Sequence, residues 1–76
     1  METAREDCIA NLVDAIHDLR NVRSEIIEAS RCFDRMAQET DNPDYYMHSG
    51  KFYTIIRIMN EIDYEIKAMR EWMADE

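Results

Sequence analysis

At 76 residues the chain has room for one domain, residues 1–76, and for a core that rarely supplies more than ~3–5 kcal/mol without help from a metal, a disulfide or oligomerisation. One Gly and one Pro leave little loop, and 34% charged beside 46% hydrophobic residues argue against disorder and for long amphipathic helices. Seventeen acids against nine bases give a net charge of −8, which argues against direct nucleic-acid or membrane binding and leaves a protein as the expected partner.

No apolar run approaches the roughly 18–20 residues of a membrane span. Residues 1–7 lack the basic start and apolar stretch of a signal peptide, so the expected compartment is the cytoplasm. Cys8 and Cys32 on one continuous helix would lie roughly 36 Å apart. A disulfide needs Cα atoms within about 7 Å, so both are expected as free thiols.

Between residues 8 and 36, alternating steps of four and three meet only apolar residues: Cys8, Leu12, Ala15, Leu19, Val22, Ile26, Ala29, Phe33 and Met36. This is a heptad seam. Small residues (Cys8, Ala15, Ala29) fall mostly on one row, and Leu12, Leu19, Ile26 and Phe33 on the other. The spacing predicts a first helix over about residues 3–38.

The helix breaks at Glu39-Thr40-Asp41-Asn42-Pro43. Asn42 reads as the N-cap of a second helix and Pro43 as its first residue, where a missing N–H costs nothing. Asp44 in the first turn complements the helix dipole. Helix two, over about residues 43–75, repeats the stepping through Tyr45, His48, Phe52, Ile55, Met59, Ile62, Ile66, Met69 and Met73. Ser49-Gly50 interrupts it with a possible kink, but the unbroken phase favours one continuous helix, since an interior Gly costs only about 1 kcal/mol against Ala.

Two helices of similar length with a short connection predict an all-α fold: an antiparallel hairpin roughly 50 Å long. More apolar residues remain than one seam can hide. Ile9, Val13 and Ile16 are spaced beside the first seam, and Tyr53, Ile56, Ile58, Tyr64 and Trp72 beside the second. The expected covers are a second hairpin, closing a homodimeric four-helix bundle, or a partner's helix in the groove. Ile9, Val13, Ile16, Tyr53, Ile58, Tyr64 and Trp72 are the candidate partner-binding residues, with the aromatics first as hot-spot types.

Charge is also placed unevenly. Residues 1–19 and the last six together carry roughly −7, and a hairpin brings them to one end. Arg20, Arg23, Arg31 and Arg35 in the middle are answered by Glu25, Glu28 and Asp34. They form no clean basic stripe, so no direct nucleic-acid binding is expected.

Catalytic and metal patterns are weak. Asp14 and His17, and Asp44 and His48, are each one helical turn apart, but neither pair has a counterpart on a facing helix, and the cysteines lack zinc spacing. There is no Gly-rich phosphate loop and no nucleophile elbow. No enzyme activity, metal or cofactor is expected. The sequence reads as a small acidic interaction module: an adaptor, an escort or an inhibitor of a larger protein. Two alternatives are a phosphate- or DNA-mimicking inhibitor of the kind viruses encode, acting through the acidic end, and a chaperone-like escort of a secreted helical subunit.

Overall fold

The computed structural model describes residues 3–75 as two antiparallel helices, α1 (Thr3–Thr40) and α2 (Pro43–Asp75), joined by Asp41 and Asn42. The first helix runs two residues past its expected end for a local reason. Asp41 adopts a left-handed backbone (φ 54°), and its N–H reaches the Ala37 carbonyl at 3.1 Å, a left-handed C-terminal cap. Asp tolerates this conformation better than most residues. The Thr40 hydroxyl donates back to the Met36 carbonyl at 2.5 Å. Asn42 then caps α2 as expected, its Oδ1 accepting the Asp44 N–H at 3.0 Å.

α2 passes through Ser49-Gly50 as one continuous helix. Gly50 has ordinary helical backbone, and a Cβ there would meet nothing within 4 Å, so it sits on the solvent side. Ser49, by contrast, is buried against α1, where Ser30 donates to its Oγ at 3.3 Å and Ser49 donates to Asp34 Oδ1 at 2.6 Å. Beside this cluster, Phe33 meets the rings of Phe52, Tyr45 and His48 edge-on at 5.3, 5.8 and 6.2 Å. At the other end Arg5 donates to the Met73 carbonyl, so the start of α1 and the end of α2 are joined.

The hairpin measures 61 × 15 × 11 Å at the Cα level, one helix thick in its narrowest direction. Its radius of gyration is 17.5 Å, whereas a compact chain of this length would have about 11 Å. No large side chain among the described residues is fully enclosed.

The seam itself corrects the heptad reading. One row on each helix lies between the helices as expected: Leu12, Leu19, Ile26 and Phe33 on α1, and Tyr45, Phe52, Met59, Ile66 and Met73 on α2. The second row is shifted by one residue on both helices. Ile9, Ile16, Arg23, Ser30 and Ala37 pack inward, while Cys8, Val22 and Met36 are exposed and Ala15 and Ala29 are half-buried at the edge of the seam. Ser49, Ile56, Asp63 and Arg70 pack inward in place of His48, Ile55, Ile62 and Met69. Ile16 is only 5% exposed, while Ile62 is 43% exposed. The inward row carries most of the polar groups that pair across the helices, and its Ser and Ala residues allow close approach near the turn. Burying it pairs Ser30 with Ser49 and Arg23 with Asn60 across the helices and turns the larger residues of the apolar row out.

Candidate functional site

The shift gives the hairpin two unlike faces. On the first, polar side chains bridge α1 and α2. Arg23 donates to Asn60 Oδ1 at 2.6 Å. Asp63, nearly buried, receives Lys67 at 3.0 Å on Oδ2 and lies 3.6 Å from Arg20 Nε through Oδ1, which has no hydrogen bond. The hydrogen bond from Lys67 holds the Asp63 carboxyl below its usual range against the opposing effect of burial, and the charges of Lys67, Arg20 and Arg23 add to it.

The second face carries the displaced apolar row. Val22 and Met36 from α1 and Ile55, Ile62 and Met69 from α2 all remain substantially exposed. Three shallow grooves run along it. Near the termini one is walled by Cys8, Asn11, Leu12, Met69, Trp72 and Met73. Mid-helix, Ile58, Glu61, Ile62, Glu65, Ile66 and Met69 line another. Toward the turn, Phe33, His48, Lys51, Phe52 and Ile55 form the third. Since successive residues of a helix turn by about 100°, the next row outward on α1 holds Asn11, Asp18, Glu25, Cys32 and Glu39.

The seven candidate partner-binding residues are divided by this geometry. Ile58 and Trp72 stand on the apolar face, exposed by 45% and 64%. Tyr53 lines a groove on the polar face with Ile27, Ser30, Arg31, Asp34 and Ile56. Tyr64, also exposed, lies one turn from Asn60 and Lys67 on that side. Ile16 is buried, and Ile9 and Val13 are half-buried, so these three contribute to the hairpin's own packing. Trp72 and Met69 line a groove with Cys8 and Leu12. The cause is the same one-residue shift, which turned Ile9 and Ile16 inward and Cys8 outward. Val22, Ile55, Ile62 and Met69 were visible in the sequence as a regular row, but a row shows only that its residues want cover, not which surface covers them.

Both cysteines are free and exposed. His17 is exposed on α1, and His48 is held beside Phe33. Of the arginine pairs in mid-α1, Arg31 meets Glu28 at 2.8 Å on the surface, a contact worth only tenths of a kcal/mol. Among the described residues no three His, Cys, Asp or Glu side chains converge as a metal site, and no helix is long and apolar enough to cross a membrane. Comparison with protein-family models, curated proteins and solved structures gives no match to this chain.

Proposed function

We propose that the chain is a small protein–protein interaction module, an adaptor, escort or inhibitor, whose working surface is the apolar face. The observation that carries this reading is the amount and placement of exposed surface. The chain exposes 5793 Å², against about 4,900 Å² expected for a compact monomer of 9.1 kDa. The excess of about 900 Å² is close to the roughly 800 Å² that one partner contributes to a standard interface. Most of the large exposed apolar side chains, Val22, Ile62 and Trp72 among them, gather on one side of a layer one helix thick, where none of the described residues covers them.

Two measurements test the reading together: light scattering after size exclusion, and binding of a fluorescent apolar dye. A monomer that binds dye, and loses it in Ile62→Lys but not in Tyr53→Lys, supports it. So does a dimer that Ile62→Lys converts to monomer. A folded monomer that binds no dye refutes it.

A further inference from the structure

We infer that the occupant of the apolar face is a single amphipathic helix with basic flanks, an inference that rests on the interaction reading above. The charges of the hairpin are segregated by face. Arg20, Arg23, Lys67 and Arg70 lie on or beside the polar face, where Asp63 and Asn60 hold three of them. Around the middle of the apolar face the edges are acidic. Asp18 and Glu25 follow the outer row of α1, one turn to either side of Val22, and both are exposed. Glu61 and Glu65 line the mid-helix groove with Ile58 and Ile62. The cross-helix contacts Arg23–Asn60 and Arg20–Asp63 set these two pairs opposite one another. Four carboxylates therefore frame the apolar centre, and the bases Lys51, which lines the groove by Phe33, and Arg35, which donates to Cys32 Sγ on the outer row, lie toward the turn.

A second copy of the chain fits this frame poorly, because face-to-face packing sets acidic edges against acidic edges, and like charges across an interface oppose association. A helix with Leu-type residues at i, i+3, i+4 and i+7 and Lys or Arg beside them fits it well. Its apolar stripe lies in the groove between α1 and α2, completing a three-helix layer, and its bases reach both pairs of carboxylates. The groove from Cys8 to Met36 runs roughly 40 Å, long enough for one such helix. Trp72, the single tryptophan and 64% exposed, stands at one end as an anchor.

Trp72 also supplies the readout. The full-length chain is titrated with a synthetic amphipathic helix of about 20 residues carrying Lys flanks, and with a Glu-flanked peptide of identical apolar stripe. The Lys-flanked peptide is expected to shift Trp72 emission to the blue and saturate, with affinity falling as salt rises. The Glu-flanked peptide is expected not to bind. Glu61→Gln with Glu65→Gln should weaken the Lys-flanked peptide by about three- to tenfold, with helicity unchanged by circular dichroism. Equal binding of both peptides overturns the basic-helix inference and leaves the interaction reading standing. A dimer that tightens with salt, with Trp72 already shielded, does the same in favour of a second copy. A folded monomer that binds neither peptide overturns the basic-helix inference, and it overturns the interaction reading as well only if the chain also binds no apolar dye.

Discussion

Shortening Ile16 and Ile62 in turn separates the two ways of pairing these helices. The heptad pattern puts Ile62 in the seam and Ile16 outside it, and the hairpin reverses them, with Ile16 5% and Ile62 43% exposed. Ile→Ala removes three carbons, worth about 0.8 kcal/mol each when fully buried. Ile16→Ala therefore loses about 2.3 kcal/mol of transfer energy, and the cavity between the helices raises the cost to about 3 kcal/mol. Ile62 has roughly 60% as much burial and opens no enclosed cavity, so Ile62→Ala should cost about 1.4 kcal/mol. With a urea slope near 1 kcal/mol per molar, the midpoints should differ by about 1.5 M. The assay is urea unfolding followed by circular dichroism, at concentrations where light scattering gives the mass of one chain. Should Ile16→Ala fail to fold, Ile16→Val at about 0.5–1.5 kcal/mol replaces it, compared with Ile62→Val at the smaller cost. Equal costs at the two positions, or a larger one at Ile62 in the monomer, would refute the shifted seam.

Gly50→Ala should stabilise the chain by up to about 1 kcal/mol, read as a rise in thermal midpoint, because the site is helical and open around the missing Cβ. Asn42→Ala should cost about 1 kcal/mol through the Asp44 N–H it leaves uncapped, and Asn42→Asp should restore most of it. Asp63 sets an acid limit. Its carboxyl titrates lower in the folded chain than in the unfolded one, so its contribution is fully present above the unfolded value near 3.9 and is lost as pH falls through the folded value. Stability measured from about pH 6 downward should therefore fall less steeply below pH 4 in Asp63→Asn than in the parent, and identical slopes would remove Asp63 from the account.

The fold class was legible because its signals are local. Pro43 behind Asn42 marks where one helix stops and another starts, and the scarcity of Gly and Pro elsewhere leaves few other places to break. Continuity through Gly50 was legible too, since the four-three stepping keeps phase across it. The site was only partly legible. Ile58 and Trp72 stand exposed on the apolar face, whereas Ile16 is buried and Ile9 and Val13 are half-buried in the hairpin.

The amino-acid order by itself determined two amphipathic helices, a tight reversal and an apolar stripe broader than one seam, because helix period, capping and turn chemistry depend on residues a few positions apart. The tertiary structure decided which half of that stripe faces inward. Rows such as Ile16–Arg23–Ser30 and Ala15–Val22–Ala29 differ by one residue, and period alone ranks the apolar row first. Cross-helix pairs chose the other: Ser30 with Ser49, Arg23 with Asn60, and Asp63 with Arg20 join residues 19 to 43 positions apart. That choice requires both helices to be in place, and its consequence is the apolar, acid-edged face left exposed.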